Sequence, residues 1–277
     1  MKKTVKLSPQ RIRLFREKIY AHYRTNGRSL PWRMTRDPYK ILLSELMLQQ
    51  TQVKRVIEKY KKFLLLFPDI ESVARAPLHA ILEQWQGLGY NRRALALKRL
   101  AGICVVRYDG RIPRSAEVLK TLPGVGAASA GAVCAFAFDE PVVFIETNIR
   151  SVFIHLFFQD RREVKDSEIL PLLEQTLDAK RPRLWYYALM DYGAMLKEQH
   201  ANPGRRSAHY ARQSPFEGSQ RQVRGMILRA LVKKPGISMP ALVKEINRDS
   251  KMVQQALRQL RAEGFIVKKG NRLVIKG

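Results

Sequence analysis

An all-α body followed by a small domain that ends in a β-hairpin is the fold this sequence predicts, on three observations. Apolar residues recur at helical spacing in one segment after another from residue 8 to about 196. No convincing alternating strand precedes residue 264, because the β-branched run 141–145 is too short and isolated to make a sheet. Over 197–217 the composition shifts to Asn202-Pro203-Gly204-Arg205-Arg206-Ser207 and then Ser214-Pro215-Phe216-Glu217-Gly218-Ser219, which reads as a basic linker. The expected organisation is therefore a helical domain over 1–196, that linker, and a small domain over 218–277.

The first helix opens at Ser8-Pro9, a cap and a first-turn proline, and carries Ile12, Leu14, Phe15, Ile19 and Tyr23 on its apolar face. Leu30-Pro31-Trp32-Arg33 and Asp37-Pro38-Tyr39 interrupt the pattern, after which 40–49 reads as a strongly apolar helix whose one acid is Glu45. Helical patterns continue at 52–66, 71–76, 78–86, 91–108, 115–121, 127–137, 147–158, 166–179 and 182–196, divided by short Pro/Gly turns. Beyond the linker come helices at 220–233, 239–247 and 250–263, then two strands within 265–275 around Gly270-Asn271. Three helices and a hairpin resemble a winged helix, with 251–261 as its recognition-type helix. Residues 218–277 carry 14 Lys/Arg against 3 Asp/Glu, which suits DNA, although a protein-interaction module with a solvated basic face has the same signature.

Across 277 residues, 51 Lys/Arg against 24 Asp/Glu give a net charge of +27. Such an excess attracts polyanions, nucleic acid first, with an anionic membrane surface or the ribosome as the other classes that charge alone admits. No run of about 18 apolar residues is present, and no signal-type stretch follows Lys2-Lys3, so a cytoplasmic, non-membrane protein is expected. Cys104 and Cys134 lie in apolar helical contexts without C-x-x-C spacing and read as core thiols. His22, His79, His155, His200 and His209 are scattered, which disfavours a histidine metal site.

In Leu122-Pro123-Gly124-Val125-Gly126, the proline stops one helix and the glycines permit a tight hairpin. The small residues that follow, from Ala127, Ala128 and Ser129, start a helix whose first N–H groups suit a phosphate. A plain Gly-rich turn between core helices is the alternative. Two acids stand out on otherwise apolar or anion-facing segments: Glu45, where burial favours the protonated form, and Glu146 in Ile145-Glu146-Thr147-Asn148. Either has an ordinary reading too, as a hydrogen-bonded core residue and as a helix N-cap respectively.

Leu30-Pro31-Trp32-Arg33, Pro38-Tyr39-Lys40, the run from Leu43 through Glu45, Gln49, Gln50 and Thr51 to Val53, Gly87-Leu88-Gly89-Tyr90, Leu122 to Gly126 and Met190-Asp191-Tyr192-Gly193-Ala194-Met195 resemble the MutY-type mismatch adenine DNA glycosylases. The resemblance covers about 8–196. It implies the two-lobed all-α fold of the helix-hairpin-helix glycosylases, which include endonuclease III, with the active site in the cleft between lobes. It implies hydrolysis of the N-glycosidic bond of a base flipped from mismatched or damaged double-stranded DNA. In those enzymes an acid protonates the departing base while a carboxylate faces the oxocarbenium-like sugar. By resemblance Glu45 is the acid that protonates adenine, Gln49 enters the duplex, and Tyr90 wedges beside the opposite base. Gln50, Thr51, the hairpin Leu122, Gly124, Val125, Gly126, and Ala127, Ala128 and Ser129 are expected at the DNA. Leu30, Trp32, Arg33, Leu48 and Asn148 are expected around the base pocket. The hairpin's backbone carbonyls are the family's place for a monovalent cation.

Four departures follow. Glu146 stands where the family has its catalytic aspartate, one methylene longer. Ala128 stands where endonuclease III-like enzymes carry a lysine nucleophile, which implies a monofunctional enzyme. Lys197, Gly204, Ser207 and Gln213 occupy the spacings of the four cluster cysteines, so no iron–sulfur cluster and no other metal or cofactor is expected, with Arg205 and Arg206 available for phosphates. The winged helix replaces the domain that reads oxidised guanine. The expected activity is release of adenine opposite guanine or 8-oxoguanine by a monomer; the rivals are a glycosylase for uracil or thymine opposite guanine, or a silent binder of mismatched or distorted DNA.

Overall fold

Local capping chemistry sets the helix boundaries. Ser8 Oγ accepts from the Arg11 N–H at 3.2 Å and Pro9 occupies the first position of α1 (Pro9–Asn26). A computed structural model describes residues 6–276. After α1 come α2 (Pro38–Leu48), α3 (Val53–Leu66), α4 (Ile70–Arg75), α5 (Leu78–Trp85), α6 (Arg92–Tyr108), α7 (Ala116–Thr121), α8 (Ala127–Phe138), α9 (Thr147–Phe157), α10 (Asp166–Thr176) and α11 (Pro182–Gln199). Then follow α12 (Gln220–Lys233), β1 (Ile237–Ser238), α13 (Met239–Ile246), α14 (Ser250–Glu263), β2 (Ile266–Lys269) and β3 (Arg272–Ile275). Single 3₁₀ turns lie at Pro31–Arg33 and Pro203–Arg206. The expected all-α body and winged helix are both present, while β1 and the two 3₁₀ turns are too short for any periodicity to reveal. Among the described residues no helix is long and apolar enough to cross a membrane.

The chain divides into two compact units. One comprises residues up to Leu42, Arg114–Lys120 and Val125–Arg212. Its core is aromatic: Phe15 of α1 meets Phe153 and Phe157 of α9 and Trp185 of α11 at centroid distances of 5.5, 5.3 and 5.7 Å. Phe136 of α8 stacks on Tyr187 of α11 at 4.4 Å. Leu14, expected on the apolar face of α1, is 54% exposed, because Phe15 and Ile19 supply the buried side.

The other unit comprises Leu43–Pro113, Thr121–Gly124 and everything from Gln213. The C-terminal winged helix thus belongs to the same unit as α3 to α6, and α12 packs on α5. Its sheet runs β1-β3-β2, all antiparallel, with Ile266 opposite Ile275 and Lys269 opposite Arg272. Gly270, at φ +58°, takes the first turn position as the expected hairpin requires. Glu263, at the end of α14, receives Arg92 Nη2 of α6 and Arg224 Nη2 of α12, both at 2.6 Å, and these two partners hold its carboxyl down to about 2 against the opposing effect of burial. Arg99 Nη2 of α6 donates to the Glu263 carbonyl at 2.7 Å.

Among the described glycines of the first unit, Gly193 of α11 leaves the least room for a side chain, against α9. A Cβ there would lie 2.3 Å from the Asn148 carbonyl oxygen and 2.7 Å from its carbon. Alanine would gain about 1 kcal/mol of helix propensity, but the obstacle is backbone and cannot turn aside. Gly193→Ala is expected to destabilise by roughly 2 kcal/mol, read as a lower denaturant midpoint; an unchanged or raised midpoint would contradict this packing.

Candidate functional site

Helix α2 begins where Asp37 Oδ1 accepts from the Tyr39 and Lys40 N–H groups at 2.9 and 3.4 Å. Ile41, Leu42, Leu43, Leu46 and Met47 are buried at 0–1% exposure, and Glu45 is half-buried among them. At the C-terminal end the last carbonyls of a helix need donors, and Arg93 of α6 supplies them. Its Nη1 donates to the carbonyls of Leu46, Met47 and Gln49 at 2.9, 2.8 and 2.5 Å. Nη2 donates to Thr51 Oγ1 and to the carbonyls of Leu88 and Gly89 at 3.0, 3.2 and 2.9 Å, and Nε to the Tyr90 carbonyl at 3.4 Å. Burial pushes the Arg93 guanidinium down to about 10, which leaves it charged at neutral pH.

One buried cation therefore joins 49–51, expected at DNA, to the 87–90 turn that carries Tyr90. Both are tightly wound: Gln50 and Tyr90 lie at φ +56° and +47°, Gly87 and Gly89 at +91° and +72°. Gln49 Nε2 donates to the Gly124 carbonyl at 3.2 Å, so that hairpin oxygen, one of those the resemblance marks for a cation, already has a donor. The hairpin needs Gly124 twice over, for its φ of +79° and because a Cβ would sit 2.7 Å from Ala96 Cβ. Gly126 lies at φ −88° and caps α8 without any side chain, so only the first glycine uses the left-handed region. Leu122, Val125 and Ser129 turn their side chains inward, whereas Gly124, Gly126 and Ala127 are exposed and Ala128 is half-buried.

Sequence reasoning missed what lies beside Tyr90. Arg221 Nη1 of α12 donates to Tyr90 Oη at 2.6 Å and its guanidinium lies 5.5 Å from the ring centroid. Gln213 Nε2 donates to Gln50 Oε1 at 3.3 Å. These residues line a groove of about 790 Å³ that also takes in Arg55, Arg92, Arg224, Arg229 and the exposed ring of Phe216. Cationic and amide side chains beside two aromatic faces suit unstacked nucleic acid.

In the other unit, Glu146 caps α9. Its Oε1 accepts from the N–H groups of Asn148 and Ile149 at 2.7 and 2.8 Å. Oε2 accepts from Thr147 Oγ1 and Asn148 Nδ2, each at 3.2 Å. Asn148 Oδ1 accepts from Lys197 Nζ at 2.8 Å. Burial pulls the Lys197 ammonium below its ordinary range and the Glu146 charge pulls it back up. Arg150 pairs with Asp166 through two 2.7 Å bonds.

Several expected contacts have other duties. Arg33 grips Asp191 with Nη1 and Nη2 at 2.8 and 2.7 Å and lies over the Tyr187 ring, so it forms a buried ion pair. Leu30 and Trp32 are buried at 6% and 5%; Leu48 is half-buried in the last turn of α2. Arg206, expected at phosphates, donates to the carbonyls of Ile154, Phe158 and Gln159 at the end of α9; Arg205 is exposed. Lys197, Gly204, Ser207 and Gln213 offer no thiolate, so these residues do not fit an iron–sulfur cluster. Cys104 and Cys134 are buried, and burial pushes the Cys104 thiol up to about 11. Among the described residues no group of three or more His, Cys, Asp or Glu could hold a metal ion.

A hairpin of this form ahead of a small-residue helix, with a carboxylate capping the next long helix, is matched over residues 43–175 by the model of the helix-hairpin-helix superfamily of base excision DNA repair proteins. The chain belongs to that superfamily. Residues 221–267 match a winged helix-turn-helix DNA-binding model. An adenine DNA glycosylase of Buchnera aphidicola is 38% identical over 189 residues, 66% of this chain and 53% of that protein. A thymine/uracil-DNA glycosylase of Methanothermobacter thermautotrophicus is 31% identical over 66% of this chain and 85% of that one. The solved structure of a thermostable thymine-DNA glycosylase aligns with a TM-score of 0.60 at 29% identity, covering 66% of this chain and 86% of that one. The superfamily member described here spans about half the length of the adenine DNA glycosylases it matches.

Arg93→Met would leave the carbonyls of 46–49 and 88–90 without donors. It is expected to cost at least ~3 kcal/mol and to weaken duplex binding, checked by denaturant unfolding and by fluorescence anisotropy. A variant with the parent's stability would show that Arg93 does not hold these loops.

Proposed function

We propose that this chain is a monofunctional DNA glycosylase that releases adenine mispaired with guanine or 8-oxoguanine, working as a monomer on duplex DNA in the cytoplasm. The observation that carries the reading is the Glu146 carboxylate, fixed by four donors in a superfamily member whose relatives include adenine DNA glycosylases. Adenine is favoured over thymine or uracil because the Buchnera adenine enzyme is 38% identical and the thymine/uracil enzyme 31%.

The chemistry follows from what each group can do. Glu45, in its apolar helix, gives a proton to the adenine as the C1′–N bond breaks, so the base leaves neutral. The bonding electrons go with the base and positive charge develops on the sugar, where the Glu146 carboxylate stabilises it. Water adds at C1′ and loses a proton, leaving an abasic sugar. Ala128 has no amine with which to form a Schiff base, so the strand remains whole until alkali cleaves it. The hairpin at Gly124 and Gly126 and the first N–H groups of α8 serve the phosphate backbone. The arginine-lined groove beside Tyr90 serves the opposite strand.

Single-turnover release from A:G, A:8-oxoguanine, U:G and T:G duplexes tests this directly. Glu45→Gln and Glu146→Gln are each expected to slow adenine release by about 100-fold or more; full activity in both variants would sink the assignment, and release of uracil or thymine instead would change the substrate. Duplex affinity is expected to fall with salt at a log–log slope of about −0.9 per phosphate contacted. A flat response would argue against a DNA-binding face altogether.

A further inference from the structure

Lys197 lies in the last turn of α11, half-buried, where the sequence resemblance puts a cluster cysteine. Its Nζ is 2.8 Å from Asn148 Oδ1. An ammonium has donors and no acceptor, so the amide of Asn148 must present its oxygen to Lys197. Its nitrogen must then face Glu146, and Asn148 Nδ2 is indeed 3.2 Å from Glu146 Oε2. The other carboxylate oxygen is taken by two backbone N–H groups at 2.7 and 2.8 Å. Both oxygens of Glu146 thus meet donors. A proton on Oε2 would set O–H against N–H.

From this one-way chain of donors we infer that Lys197 is a positioning residue for Glu146: it orients the Asn148 amide so that the carboxylate is held in place in its ionised form. The inference rests on the role proposed for Glu146. The arrangement accounts for a half-buried cation that otherwise costs free energy, since Lys197 acts on the carboxylate both through Asn148 and through its charge. The charged groups facing Glu146 are Lys197 from α11 and Arg150 from its own helix, the latter paired with Asp166 of α10. Gly193, one turn before Lys197 on α11, lets the backbone of Asn148 approach closely enough for the link. The last turn of α11 therefore delivers a side chain to the carboxylate that the proposed chemistry uses.

The test uses the full chain and reads adenine release against pH. The proposed chemistry uses Glu146 as a carboxylate, so the rate is expected to fall on the acidic side. Removing a donor and a positive charge makes protonation easier, so the acidic limb of Lys197→Met is expected about one pH unit higher, with Lys197→Arg restoring the parent profile. Asn148→Leu, which leaves the charge in place, is expected to give a smaller shift, and the double variant one no larger than Lys197→Met, since both break the same link. Lys197→Met with the parent's acidic limb, or shifts that simply add, would overturn the inference. Should the methionine variant not fold, Lys197→Gln, which keeps a donor without the charge, is expected to shift the limb by less; an unshifted limb there overturns it equally. If the parent released no base, the proposed function would have failed, and NMR titration of 13C-labelled glutamate would still decide: a higher Glu146 midpoint in Lys197→Met supports the inference and an unchanged one removes it.

Discussion

A single guanidinium holds the end of α2 and the 87–90 turn in register within the unit that carries the winged helix. Arg93 is 6% exposed and satisfies carbonyls from the end of α2 and from the 87–90 turn, stretches separated by more than one intervening helix. Left-handed residues such as Gln50 and Tyr90 cost free energy wherever they occur. They persist here because one multidentate donor fixes both loops at once. Arginine suits the task better than lysine, since its planar fork reaches several acceptors without losing its charge.

The second organising constraint is the pairing of α9 with α11. Gly193 permits the backbones to touch at Asn148, and Asn148 is the residue between Glu146 and Lys197. The Glu146 side chain folds Oε1 back onto two N–H groups of its own helix while Oε2 stays with Asn148. Cap and candidate catalytic carboxylate are therefore one residue, and the two readings that the sequence leaves open are compatible. The 3₁₀ turn at Pro203–Arg206 shows the same economy: Arg206 closes the carbonyl end of α9.

The winged helix is joined to the rest of its unit by charge as much as by apolar packing. Glu263 holds an arginine from α6 and one from α12, and Arg221 reaches Tyr90. A domain tied by such contacts differs from one tethered by a flexible linker, because less ordering entropy remains to be lost when it binds a ligand.

By itself the sequence determined which segments are helices, where the hairpin turns, which two carboxylates stand on chemically marked segments, and that no thiolates follow α11. Each of these is written in local order: a 3.6-residue period, a proline followed by glycine, a residue type at a family position. The tertiary structure alone decided that Arg33 is locked to Asp191, that Arg206 caps α9, that Lys197 reaches Asn148 and that Arg93 binds two loops. A basic side chain written in a sequence states its charge but not its acceptor. The acceptors here are backbone carbonyls or side chains from 3 to 158 positions away, most of them brought into reach only when apolar faces pack, and no spacing along the chain encodes them.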